Sequence, residues 1–293
     1  MNVSREKQDG GQGRLQRAMF QWTPMLLLLF SLVLAGLTPS ATEACVGARP
    51  LGMGGAFIAV ADDANASYWN PAALAFLQTR QATGMYITGE EINYKGFASY
   101  NQPVGDSAAV AVSVYTWNDQ GIHNNFRKSW ASFGVKVPFI PLGKMAVGAN
   151  LGFARDKELD HDPGVDVSVL YRINRQWSLG LLIQDINEPD VERDGDPIAY
   201  WQRNIRPGIA YRPTEHVTIA MDIYLLTETY ESVMIGAEYR LDEKHILRAG
   251  LYGMNAGGYQ ETVGAGYRFS PRLRIDMALL EFKWGVFSAT YSF

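Results

Sequence analysis

The chain has 293 residues, of which 47% are hydrophobic and 19% charged, and its formal net charge is −4. So large an apolar share excludes a disordered polymer. The slight acidic excess argues against nucleic acid as a partner.

Residues 1–44 have the order of a secretory signal. Arg5, Lys7, Arg14 and Arg17 make a basic start, diluted by Glu6 and Asp9. Residues 25–36 form an apolar run too short for a comfortable membrane helix, and residues 37–44 end in small side chains. Cleavage after Ala44 would put Cys45 at the mature N-terminus. Lipidation of Cys45 is an alternative fate, although Thr42 and Glu43 interrupt the expected signal. A single cysteine forms no intramolecular disulfide.

Residues 45–78 follow as a separate unit. Gly52, Gly54 and Gly55 suit tight turns and close backbone approach. Residues 56–61 are a short apolar run, compatible with a strand. Asp62 and Asp63 come next, then Trp69-Asn70-Pro71-Ala72, where Asn70 is placed to cap a short helix that opens on Pro71. The set Gly52-Met53-Gly54-Gly55-Ala56, Asp62-Asp63 and Trp69-Asn70-Pro71-Ala72 resembles the N-terminal region of the FadL-type (TodX-containing) and PorV-like outer-membrane proteins. The resemblance implies that residues 45–78 form a plug inside a transmembrane β-barrel made by residues 79–293. Its wording is closer to the PorV-like branch.

After residue 78, period-2 alternation returns again and again between turn residues. Val165, Val167, Val169 and Tyr171 alternate with Asp166, Ser168, Leu170 and Arg172, and Val233, Ile235, Ala237 and Tyr239 alternate with Met234, Gly236, Glu238 and Arg240. One face is apolar and the other small or charged. A soluble sandwich would turn the apolar face inward, and a membrane barrel would turn it outward. The runs are about 9 to 11 residues, the length of a tilted membrane strand, and longer than the usual soluble strand of about five or six. Fourteen strands are expected, near 79–88, 91–101, 107–117, 128–138, 144–155, 164–173, 177–186, 203–212, 216–225, 231–240, 245–253, 259–268, 272–280 and 285–293. The fold class is therefore all-β, a transmembrane antiparallel barrel. Gly148, Gly180, Gly208, Gly236, Gly264 and Gly266 fall on the polar face and would leave room for a plug.

Connections alternate in length. The short set is 102–106, 139–143, 174–176, 213–215, 241–244 and 270–271. The long set is 118–127, 156–163 and 187–202, read as loops. Short periplasmic turns and longer outer loops are the pattern of an outer-membrane barrel, with both termini periplasmic. Phe287, Ala289, Tyr291 and the terminal Phe293 share one face, like the signal by which the barrel-assembly machinery recognises its clients. Trp117, Trp130, Trp177, Trp201, Trp284, Tyr86, Tyr100, Tyr115, Tyr171, Tyr211, Tyr252 and Tyr267 fall near expected strand ends, as aromatic girdles would.

No enzymatic constellation is present. His123, His161, His216 and His245 have no partner at ligand spacing, so no zinc site is expected. Nucleophile-elbow and phosphate-loop motifs are absent. Asp156, Glu158, Asp160 and Asp162 with His161 read as a solvated outer loop, with a weak calcium site as the alternative. Residues 190–196 read as a polar loop. No cofactor is expected.

Lys136, Asp166, Arg172, Arg206, Arg212, Asp222, Glu238, Arg248, Arg268, Arg274 and Asp276 all fall on the polar face and are expected in the lumen. An Arg or Lys facing lipid at mid-depth would cost about 2–4 kcal/mol. Asp62 and Asp63 are expected to pair with wall arginines. The expected function is transport across, or secretion through, the outer membrane. Outer-membrane lipid and the barrel-assembly machinery are the expected partners, with secretion-system components or a hydrophobic ligand as further alternatives. A fatty-acid-like uptake channel, a purely structural or partner-binding barrel, and a soluble periplasmic β-protein are the competing readings.

Overall fold

The computed structural model describes residues 46–293 apart from 90–91, 120–125, 141, 157–158, 194–195, 227–229 and 256–257. The expected signal peptide (residues 1–44), Cys45, His123 and Glu158 lie outside the described residues.

The alternating segments fold into β1 (Gln81–Gly89), β2 (Ile92–Val104), β3 (Ala108–Asp119), β4 (Phe126–Val137), β5 (Lys144–Arg155), β7 (Gly164–Arg172) and β8 (Trp177–Gln184). The series continues with β11 (Asn204–Tyr211), β12 (Val217–Leu226), β13 (Tyr230–Arg240), β14 (His245–Asn255), β15 (Gly258–Arg268), β16 (Leu273–Leu280) and β17 (Trp284–Ser292). Neighbours in this series pair antiparallel, and β1 pairs with β17 from Gln81↔Ser292 to Gly89↔Trp284, which closes the barrel. These fourteen strands agree with the sequence reading to within a few residues at each end.

The direction of the alternation decides the environment. Val112, Phe133, Leu151, Met221, Ile235, Met277 and Phe287 are exposed on the outside, whereas Asp166, Asp222, Glu238, Arg248 and Asp276 are buried within. Val112 is 61% exposed and Asp276 0%. A water-soluble barrel would have these reversed, so this surface belongs in hydrocarbon. Ile235 lies mid-strand on that surface. Ile235→Arg is expected to cost about 2–4 kcal/mol in equilibrium folding into lipid vesicles; an unchanged folding midpoint would place this face in water.

Two expectations are corrected here. Residues 156–163 and 187–202 are not plain loops. They contain β6 (Asp160–His161), β9 (Asp190–Arg193) and β10 (Asp196–Tyr200), which pair in the order β10-β9-β6. These strands have two to five residues and a register shift between Pro197 and Ala199, so no alternating run announces them. Second, Trp117, Trp130, Trp201, Trp284, Tyr115 and Tyr252 are not girdle residues. Trp130 and Tyr115 are buried in the interior core, and Trp117, Trp201, Trp284 and Tyr252 pack against it. The outer aromatic band at the short-turn end is made by four residues of the expected set, the stacked Trp177 and Tyr211 (4.3 Å), Tyr100 and Tyr267, joined by Phe269, Tyr291 and Phe293.

Residues 46–77 lie inside the cylinder. They comprise two helical turns, Ala48–Gly52 and Ala66–Trp69, and a 3-10 helix, Pro71–Phe76. Nearly all their side chains are buried, including Leu51, Met53, Phe57, Ile58 and Leu74.

Candidate functional site

The inner segment is held by polar contacts, because its own backbone cannot be satisfied by a ladder. The turn Ala48–Gly52 leads into Gly54 and Gly55, whose φ values of 62° and 76° suit glycine. The Gly54 N–H donates to Thr262 Oγ1 (3.0 Å). The N–H groups of Phe57 and Ile58 both donate to Asp222 Oδ2, at 2.6 and 2.8 Å. Ser178 Oγ donates to the Ala59 carbonyl (2.8 Å). Residues 56–61 are therefore a series of turns and not the strand that their apolar run suggested: a wall carboxylate and a wall hydroxyl replace ladder partners.

Asn70 caps the 3-10 helix by accepting from the Ala72 N–H, and Pro71 occupies the first position, where a missing N–H costs nothing. The Asn70 amide also donates to the carbonyls of Ile58 (2.9 Å) and Val169 (3.2 Å), tying two turns of the segment to β7. Asn70→Ala is expected to destabilise this anchorage by about 1–3 kcal/mol, the cost of leaving buried carbonyls unsatisfied. Faster protease cleavage within residues 56–77 would report it.

At the short-turn end the segment meets the wall through charge. Arg49 Nε donates to Glu238 Oε2 (2.8 Å), and its Nη1 reaches Asp63 Oδ2 (2.8 Å) and Asp62. Arg248 Nε donates to the same Glu238 oxygen (2.7 Å), and its Nη1 lies 2.9 Å from Asp276. Arg274 joins Asp63 (2.7 Å) to Asp276 (2.7 Å). The result is one connected network of three arginines and four carboxylates crossing from residues 49–63 to β13, β14 and β16.

Burial alone would raise the Asp63 carboxyl, but the Arg274 and Arg49 guanidinium groups outweigh it and hold it well below the usual carboxylate range. A carboxyl lowered on folding stabilises the folded state above its ordinary pKa, and that stabilisation is lost only as pH falls through the lowered value. Asp63 therefore stays charged at neutral pH.

Towards the long-loop end the lumen becomes aromatic. Tyr68 packs edge-on against Trp69, Phe97 and Trp130, with centroids 5.3, 6.4 and 5.8 Å apart. Tyr115 is buried in the same core. Beyond them Lys128 pairs with Asp185 (3.3 Å) and lies over the Trp201 ring (4.3 Å), which stacks on Phe126. His161 packs edge-on against both rings. Among the described residues no group of three or more His, Cys, Asp or Glu could hold a metal ion.

The expected motif residues are distributed along this path. An ideal Cβ on Gly52 would lie 3.1 Å from the Gly264 Cα, and Met53 is fully buried. Trp69 Nε1 donates to the Val46 carbonyl (2.9 Å). Of the lumen charges, Asp166, Arg206, Asp222, Glu238, Arg248 and Asp276 are buried. Arg172 lies over the Phe76 ring (4.2 Å), Arg206 over Tyr224 (4.4 Å), and Arg212 donates to Ser178 Oγ (3.0 Å). Lys136 sits at the short-turn end and bonds the Asp106 carbonyl. Asp63 pairs with the wall arginine Arg274, as expected; the close ion pair of Asp62 is with Arg49 of its own segment, and its charge reaches the wall arginines Arg172 and Arg212 from farther off. Arg49, the centre of the network, carries no sequence signal of its own, since it lies outside the alternating strands. Lys95, buried with its ammonium 3.9 Å from the Trp117 ring, was also missed, although it shares parity with buried Phe97 and Ser99.

A polar cavity of about 230 Å³ opens at the short-turn end, lined by parts of the network together with Arg240, Arg268 and Arg272.

The closed fourteen-stranded antiparallel barrel has the fold seen in FadL-type proteins. The Pseudomonas putida toluene transporter TodX superposes with a TM-score of 0.61 at 12% identity, covering 85% of this chain and 98% of that one. A Pseudomonas aeruginosa FadL homologue superposes with a TM-score of 0.56 at 13% identity, covering 88% and 100%. No family model matches the sequence, and no curated protein does.

Proposed function

We propose that this chain is a transport protein of the bacterial outer membrane, in which residues 46–77 act as a plug and small apolar molecules are the cargo. The observation that carries the reading is the composition of the lumen along its axis. Its outer half is aromatic, with Tyr68, Phe97, Tyr115 and Trp130 buried together. Its inner half is closed by a segment held through hydrogen bonds and ion pairs, contacts that can be exchanged without breaking a covalent bond. The fold shared with a toluene transporter supports the same class of cargo.

The test is uptake of labelled toluene by cells producing the wild-type barrel, its Trp130→Ala variant or no barrel. The wild type should exceed the empty control, and the variant should fall several-fold towards it. Uptake equal to the control would remove the transport reading. Recovery of secreted cargo or secretion components on the purified barrel, with no uptake, would instead favour the partner-binding role.

A further inference from the structure

We propose that the cavity at the short-turn end is a binding site for a small free oxyanion carrying phosphate or carboxylate groups. The site stands on its own geometry, whether or not the barrel carries cargo. Its lining contains Arg49, Arg240, Arg268, Arg272 and Arg274 against Asp62, Asp63 and Glu238. The carboxylates are already engaged: Arg49 takes all three, and Arg274 shares Asp63. Among the described residues Arg240 and Arg268 form no ion pair, and Arg240 Nε is a buried donor with no hydrogen-bond partner.

The register makes this excess deliberate in position. Arg268 of β15 faces Arg274 of β16 directly. Like charges opposite one another across an antiparallel pair are destabilising. Arg274 is relieved by Asp63 and Asp276, whereas Arg268 has no equivalent carboxylate. Arg240 ends β13 and lines the same cavity from the other side of β14. Planar guanidinium forks are matched to phosphate and carboxylate oxygens, two at a time. Gln81, Thr290, Ser270 and Ser292 add neutral donors around the mouth. A volume of about 230 Å³ is several times the roughly 30 Å³ share of one water, enough for phosphate or a small polycarboxylate such as citrate. An anion seated there would also compete with Asp63 and Glu238 for Arg274 and Arg49.

The experiment is calorimetric titration of the full mature chain in detergent with inorganic phosphate and with citrate, at constant ionic strength set by sodium chloride. Saturable one-to-one binding of at least one of them is expected, and it should weaken at least ten-fold in an Arg240→Gln, Arg268→Gln double variant. That variant removes crowded cations and breaks no ion pair, so it should keep heat-modifiable migration. Arg193→Gln, on the outer sheet, provides a control that should bind as the wild type does. Absence of saturable binding by either anion, or undiminished binding in the double variant, would overturn the site. Binding only to phosphatidylglycerol micelles, and to neither free anion, would overturn the assignment to a free ligand.

Discussion

Arg49→Met is expected to release residues 46–77 from the wall while leaving the barrel closed. Methionine keeps much of the aliphatic bulk but removes a cation that touches Asp62, Asp63 and Glu238 together. Breaking a buried ion pair from one side typically costs about 3–5 kcal/mol, because a buried charge is left uncompensated. Asp63 keeps Arg274 and Glu238 keeps Arg248, so the lower end of that range, about 3 kcal/mol, is the expected loss. In planar bilayers the wild type should be silent and the variant should show openings, with protease cutting inside residues 46–77. Asp62 is half-exposed, so Asp62→Asn should cost under about 1 kcal/mol and leave the barrel silent. An Arg49→Met barrel as silent and as protease-resistant as the wild type would show that the network does not hold the segment.

Gly236→Val should displace the same segment by a different force. A Cβ at Gly236 would sit 2.0 Å from the Met53 carbonyl oxygen, a backbone atom with no room to rotate away. Overpacking a filled interior commonly costs about 1–3 kcal/mol, and more where backbone is the obstacle. Gly236 pairs with Ala220 and Gly250 in the ladder, and those bonds do not depend on the missing side chain. Barrel assembly and heat-modifiable migration should therefore survive while residues 46–77 become protease-accessible. Gly84→Ala is the matched control, since nothing lies within 4 Å of its added Cβ. Equal protease resistance in Gly236→Val and Gly84→Ala would contradict the close approach of Met53 to β13.

The barrel was legible because the wall strands repeat one physical demand: an apolar face outward, with most small and charged residues on the other. That parity sorted Asp222, Glu238, Arg248 and Asp276 to the lumen from sequence alone, and the structure buries all four. It also held information that went unused. Trp130 shares parity with Lys128 and Ser132, which face inward, so its place in the lumen could have been read in place of a girdle position. The outer sheet was not legible, because strands as short as Asp160–His161 have no period to detect. Arg49 was hidden for another reason. Its partners lie up to 189 residues away along the chain, and nothing local to Arg49-Pro50-Leu51 implies them. The apolar run at residues 56–61 misled because strand propensity assumes a ladder partner, whereas here Asp222 takes two of its N–H groups.

Hydrogen exchange read by mass spectrometry, on the wild-type chain in lipid nanodiscs, tests most directly whether the bore is occupied by its own N-terminal segment. Peptides covering residues 51–77 should exchange as slowly as those from β12 to β15, because donors such as Phe57 N–H and Ala72 N–H are buried against wall side chains. Complete exchange of these peptides within seconds, beside a protected barrel, would mean that the segment lies outside in water.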